Sequence, residues 1–147
     1  MSKKEEFNQE IANGYTFEGE NLILGAAMYE NEVQTGSLVN LPLSTLNRHG
    51  LIAGATGTGK TKTLQVLAEN LSMLSVPVLM MDIKGDLSGI AAASDGHPKI
   101  DERHEKIGIP WDSLGFPIET LSISEENGVR LRATVSEFGP VLMGKIL

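Results

Sequence analysis

Apolar residues along this chain fall into short runs, and the spacing within them changes from one stretch to the next. Residues 1–14 are polar with little periodicity, which predicts a short or frayed helix. Asn21–Ala27 (NLILGAA) and Val33–Leu41 (VQTGSLVNL) read as strands, with Glu30-Asn31-Glu32 between them, and predict a hairpin that Pro42 closes. Gly50-Leu51-Ile52-Ala53 is a continuous apolar run of the kind buried on both faces of a parallel sheet. Lys60–Leu74 then carries Leu64, Leu67, Ala68, Leu71 and Leu74 at helical spacing, and Pro77 stops that helix, because the residue before a proline is disfavoured in helix. Val78-Leu79-Met80-Met81 is a second continuous apolar run, and it ends at Asp82. Strand, helix, strand in this order predicts a right-handed βαβ crossover with parallel strands.

Downstream the pattern weakens. Gly85–Ala93 reads as a short helix or loop, Gly96-His97-Pro98 as a breaker and Asp101–Lys106 as a polar helix. Pro117–Ile123 (PIETLSI) and Val129–Thr134 (VRLRAT) are strand-like, separated by the turn-like Glu125-Glu126-Asn127-Gly128. Ser136 is placed to cap a last helix with Pro140 in its first turn and Val141, Leu142, Ile146 and Leu147 as its apolar face. The expected organisation is an N-terminal segment over residues 1–45 with a β-hairpin, followed by an α/β core over 46–147. That core is a parallel sheet flanked by helices.

The loop joining the first apolar run to the helix is Gly54-Ala55-Thr56-Gly57-Thr58-Gly59-Lys60-Thr61. It fits G-x-x-x-x-G-K-[ST], and each position has a physical reason. Glycine permits positive φ, so successive N–H groups can turn toward one phosphate. The helix that follows adds unpaired N–H groups and the positive end of its dipole. A nucleotide cradle is therefore expected from Gly54, Ala55, Thr56, Gly57, Thr58, Gly59, Lys60, Thr61 and Lys62. In it Lys60 serves the β and γ phosphates, and the Thr61 hydroxyl holds Mg²⁺. Asp82 ends the next apolar run, at the edge where parallel α/β sheets place ligands. A carboxylate there can hold Mg²⁺ through water, polarise an attacking water, or cap the turn Ile83-Lys84-Gly85. Lys60 and Asp82 are the candidate catalytic pair. Asp82-Ile83-Lys84-Gly85 also fits the D-x-x-G of GTPases. However, one helix fills the space a switch segment needs, and no N-K-x-D follows.

Composition narrows the classes. With 147 residues the chain is the length of one domain. It has no cysteine, which excludes disulfides, thiolate metal sites and thiol nucleophiles. Its N-terminus, MSKKEEFNQE, lacks the apolar stretch of a signal peptide, and no run approaches the roughly 18 apolar residues of a membrane span. A cytoplasmic protein without membrane contact is the expectation. A net charge of −7 argues against this chain gripping nucleic acid by itself. His49, His97 and His104 lack metal-ligand spacing, Trp111 reads as a packing anchor, and Arg130 and Arg132 share one side of a strand.

The stretches LSTLNRHGLIAGATGTGKT and VLMMDIKGDLSGIAAAS together resemble the HerA/FtsK branch of RecA-like P-loop ATPases. More narrowly, they resemble bacterial HerA-like ATP-binding proteins with a helicase HerA-like C-terminal domain. The resemblance runs from about Leu22 to Leu147. It implies a RecA-like P-loop NTPase fold, ATP and Mg²⁺ as cofactors, a homo-oligomeric hexameric ring and movement along DNA. By the same resemblance, Gly54–Thr61 match the Walker A loop and Asp82 matches an acidic residue at the catalytic edge. Asp86 stands where many members have Glu, and Arg48 matches an arginine placed near a nucleotide. Hydrolysis in that branch also uses an apolar strand ending Asp-Glu and an arginine finger. Residues 83–147 hold no four-residue apolar run followed by Asp-Glu. The chain is thus expected to be the N-terminal part of a longer ATPase, with an incomplete core that binds ATP. The alternative is a regulatory P-loop protein that binds ATP without motor activity on DNA.

Overall fold

The structure is a computed structural model that describes residues 1–123, 127–132, 134, 136–137, 139–140 and 144. The chain forms two compact units, residues 1–116 and 117–147.

The first unit is built on a hairpin. Strand β1 (Asn21–Tyr29) pairs antiparallel with β2 (Glu32–Pro42), in a register running from Asn21 opposite Pro42 to Tyr29 opposite Glu32. Glu30 and Asn31 form the two-residue turn with φ of 49° and 66°. Both central residues at positive φ match the turn whose twist suits paired strands. Two register shifts, at Ile23/Gly25 and Ala26/Met28, bend the ribbon. Leu22 and Ala27 on β1 are buried, as is Gln34 on β2, so the hairpin supplies much of the core.

Helix α1 (Lys3–Tyr15) precedes the hairpin and is better formed than its weak periodicity predicts. The reason is local. The Ser2 hydroxyl accepts from the Glu5 N–H at 3.2 Å, and the Glu5 carboxylate accepts from the Ser2 N–H at 2.6 Å. This reciprocal capping box satisfies two of the helix's free donors. No α1 residue is buried. The helix lies on the hairpin through Phe7 against Tyr29 at 5.3 Å and polar ties such as the Asn40 side-chain amide to the Tyr15 carbonyl at 2.9 Å.

Helix α2 (Lys60–Met73) packs on β1, burying Gln65 and Ala68. It ends in a Schellman motif. The Val76 N–H donates to the Leu71 carbonyl and the Ser75 N–H to the Ser72 carbonyl, each at 2.9 Å, with Ser75 at φ 61°. Pro77 follows and prevents continuation.

Helix α3 (Pro98–Ile107) spans the expected polar helix. His97 caps it by accepting from the Lys99 N–H at 3.1 Å, and Pro98 takes the first helical position. Its end is tied to β2 through the Thr35 hydroxyl, which donates to the Lys106 carbonyl at 2.8 Å. His104 faces Trp111 with ring centres 6.0 Å apart, the packing role expected for that tryptophan.

The expected βαβ unit does not form. Residues 50–53 and 78–81 belong to no sheet, and most apolar side chains in and beside them stand in solvent, with Met80 half-buried. Leu51 is 90% exposed, Leu79 82%, Met81 88% and Ile83 97%. A strand that is apolar on both faces needs hydrogen-bonded neighbours and two covering layers. No strand of the described residues pairs with either segment, and α2 rests on the hairpin rather than on a parallel sheet. The first unit is therefore helices on an antiparallel hairpin. No helix of the described residues is long and apolar enough to cross a membrane.

In the second unit, strands β3 (Leu121–Ser122) and β4 (Val129–Arg130) form one parallel pair, shorter than the runs predicted for them. The whole apolar face expected of a last helix, Val141, Leu142, Ile146 and Leu147, lies outside the described residues, while Ser136 and Glu137 are helical. Thr134, rather than Ser136, makes the capping contact there, its N–H and hydroxyl donating to the Glu137 carboxylate at 2.6 and 2.9 Å.

Ser75 adopts a left-handed conformation that costs an L-residue roughly 1–2 kcal/mol and glycine almost nothing. Ser75→Gly is therefore expected to stabilise the chain by about 1 kcal/mol, raising Tm by about 3 °C in a thermal melt. A lower Tm would show that the Ser75 side chain has a stabilising role beyond this cap.

Candidate nucleotide site

The glycine loop closes on one carbonyl. Ala55 O accepts from the Thr58 hydroxyl at 2.8 Å and from the Lys60 ammonium at 2.7 Å, with the Thr58 N–H farther off at 3.4 Å. Gly54 makes this possible, since a Cβ built there would lie 2.6 Å from the Thr58 hydroxyl oxygen. Gly59 sits at φ 91°, a left-handed turn that swings the chain into α2. No side chain caps that helix start. The first N–H groups of a helix have no partner inside it, so those of α2 are available to an anion together with the positive end of the dipole.

A cavity of about 560 Å³ opens against this loop. One wall is Thr56, Gly57, Gly59, Lys60, Thr61 and Lys62. Gly54, Ala55 and Thr58 stand behind that wall and shape it through the contacts at Ala55 O. The facing wall is Met81 to Lys84 with Asp86 and Leu87. The cavity thus has Asp82, Lys84 and Asp86 in its lining together with Lys60 and Thr61. Arg48 is not among its lining residues, and its backbone N–H donates to Thr45 O at 3.3 Å.

Asp82 has a distinctive setting. Its Oδ1 accepts from the N–H groups of Gly85 at 2.8 Å, Lys84 at 3.2 Å and Asp86 at 3.3 Å, and its Oδ2 from Leu87 at 2.9 Å. These bonds, the one from Leu87 foremost, hold its carboxyl below the usual aspartate range, against a smaller opposing effect of desolvation. The turn-capping alternative weighed for Asp82 is thus realised in the geometry.

A residue that periodicity and motif alone do not single out joins the two walls. Gln65 is buried on α2, and its side-chain amide donates to the Asp86 carbonyl at 3.2 Å. The available signal was a glutamine one helical turn after Thr61, on the face that also carries Ala68.

With this geometry in view, comparison with known families is informative. The family model described as helicase HerA-like C-terminal matches residues 28–147. The chain belongs to the helicase HerA-like C-terminal family. The matched span of this HerA-like chain includes β2, the glycine loop, α2 and the Asp82 turn, and leaves out α1 and most of β1. Neither curated proteins nor solved structures yield a match. Membership makes the chain a relative of HerA-type helicases and ATPases, a family that generally uses ATP and Mg²⁺.

The contacts at Ala55 O predict a coupling between Gly54 and Thr58. Gly54→Ala forces the Thr58 hydroxyl off Ala55 O and is expected to cost about 1 kcal/mol, the worth of one hydrogen bond. In a Thr58→Ala background the same change should cost much less. A double-mutant cycle by denaturant melts reads this coupling, and fully additive costs would refute it. The depressed Asp82 carboxyl has a pH signature. A group whose folded pKa lies below its unfolded value stabilises the fold above the unfolded pKa and loses that contribution as pH falls through the folded one. The 82–87 turn is thus expected to hold at neutral pH and to loosen only below the usual aspartate range. NMR amide shifts of residues 84–87 followed against pH would show a transition there, and one near neutrality would contradict the assignment.

Proposed function

We propose that this chain binds ATP·Mg²⁺ through its glycine loop and is the nucleotide-binding part of a HerA-like ATPase that moves DNA. The observation that carries the reading is the uncapped start of α2 facing a cavity beside Lys60 and Thr61. The donor set fits a triphosphate: unpaired helix N–H groups, a mobile ammonium and a hydroxyl at the loop's end. Lys60 exchanges the Ala55 carbonyl for a β or γ phosphate oxygen. Thr61 offers its hydroxyl to Mg²⁺, and Lys62 and Lys84 add positive charge at the rim. When present, Mg²⁺ would supply charge neutralisation on the phosphates, and the Thr61 hydroxyl is the group that would hold it. Asp82 and Asp86 belong to the wall facing the phosphates. By family resemblance, the working assembly is a homo-oligomeric ring in which DNA meets the full-length protein, in the cytoplasm.

A second reading has an observation of its own. The chain carries a net charge of −7, which argues against a DNA grip of its own and favours a regulatory P-loop protein that binds ATP without motor activity. ATP turnover by the intact protein with and without DNA separates the two, because DNA stimulation belongs to the motor alone.

For the site itself, ATP·Mg²⁺ at a hundredfold over Kd is expected to add about 2.7 kcal/mol of stability. That is a Tm rise of roughly 5–10 °C for a chain of this size. Lys60→Ala should abolish the rise, with the unliganded chain losing at most about 1 kcal/mol for the bond to Ala55 O and keeping its fold. An unchanged affinity in that variant would remove Lys60 from the site.

A further inference from the structure

The geometry points to Asp82 as a positioning residue whose carboxylate builds the cavity wall opposite the glycine loop, with Gln65 tying that wall to α2. Four successive N–H groups, from Lys84 to Leu87, converge on one side chain. A carboxylate offers about four lone-pair directions. Three of the donors share Oδ1, which is saturated, and the fourth occupies Oδ2. A carboxylate engaged in this way is a poor base, and its depressed pKa agrees with that, while three of its four bonds crowd the one oxygen Oδ1.

What Asp82 does instead is bend the chain after Met81 so that Ile83, Lys84, Asp86 and Leu87 all face the cavity. Gly85, at φ 75°, allows the turn, and Leu87 anchors it by being buried. Gln65 then connects the turn to the helix that carries Thr61 one turn earlier, about 5.4 Å along the axis. Its amide holds the Asp86 carbonyl from a buried position, so a shift of the wall breaks a part-buried hydrogen bond and leaves the buried amide without that partner. The chain Asp82, backbone 84–87, Asp86 carbonyl, Gln65, α2 thus sets where Lys84 stands relative to Lys60 and Thr61. The positioning role stands on these hydrogen bonds alone, and its consequence for ligands rests on the nucleotide reading above.

The test measures amide exchange residue by residue in the nucleotide-free chain, and ATP affinity with Mg²⁺ and with excess EDTA. Asp82→Ala is expected to speed exchange at all four amides, 84 to 87. Asp82→Asn keeps one acceptor oxygen for Lys84, Gly85 and Asp86 but turns an NH₂ toward Leu87, so only the Leu87 amide should lose protection. Gln65→Leu should leave the four amides protected, because the turn itself is intact. Asp82→Ala is expected to weaken ATP with and without Mg²⁺ by the same factor, on the order of tenfold, the worth of one charge-assisted hydrogen bond. Unchanged exchange in Asp82→Ala would overturn the positioning role. So would a loss of ATP·Mg²⁺ affinity with metal-free ATP binding unaltered, which would make Asp82 a metal ligand. If the wild-type chain binds ATP in neither condition, the nucleotide reading falls, and the exchange pattern alone decides the role of Asp82.

Discussion

The pairing of β1 with β2 carries the first unit, because each of the three helices rests on this ribbon. An isolated hairpin is marginal in water and needs packing on at least one face. Here α1, α2 and α3 supply that packing, and in return the hairpin gives each helix a surface. The glycine loop depends on the same arrangement. Its outgoing end is the first turn of α2, and α2 is held by Gln65 and Ala68 buried beneath it. Loosening β1 from β2 would leave the start of α2 without a fixed direction, and with it the ring of hydrogen bonds around the Ala55 carbonyl.

Within the site, the two walls are built by different chemistry. The glycine loop wraps a lysine and a threonine around one of its own carbonyls and leads into a helix start that no side chain caps. The facing wall gathers the N–H groups of residues 84–87 onto its own carboxylate, so those four donors are already satisfied. A wall with an uncapped helix start and a wall with satisfied donors, joined through Gln65, give the cavity a polarity that neither segment has alone.

Local chemistry made parts of this legible in the linear sequence. The glycine loop, the helix behind it and the stop before Pro77 are written in residue type and spacing, because positive φ, helical period and a missing N–H are properties of single residues. The hairpin was legible for the same reason, through two apolar runs and a short polar turn. The helix at the N-terminus was equally available in Ser2-x-x-Glu5, although an apolar stripe was lacking and periodicity alone does not reveal it. Gln65 was harder to find. A polar residue on a mostly apolar face becomes meaningful only when its partner, the Asp86 carbonyl, is seen to lie across from it.

The sequence by itself determined the glycine loop and the helix that follows, since these rest on contacts between residues a few places apart. Which surface that helix covers was decided only in three dimensions. Residues 50–53 and 78–81 have the composition of buried parallel strands, yet strand formation needs neighbours to complete its hydrogen bonds, and in the first unit the paired ribbon is β1 with β2. The surroundings of Asp82 were decided in the same way. Its position at the end of an apolar run was plain in the sequence. Whether its oxygens face a ligand or the turn after it depends on how residues 84–87 bend back, and here four N–H groups bend toward it.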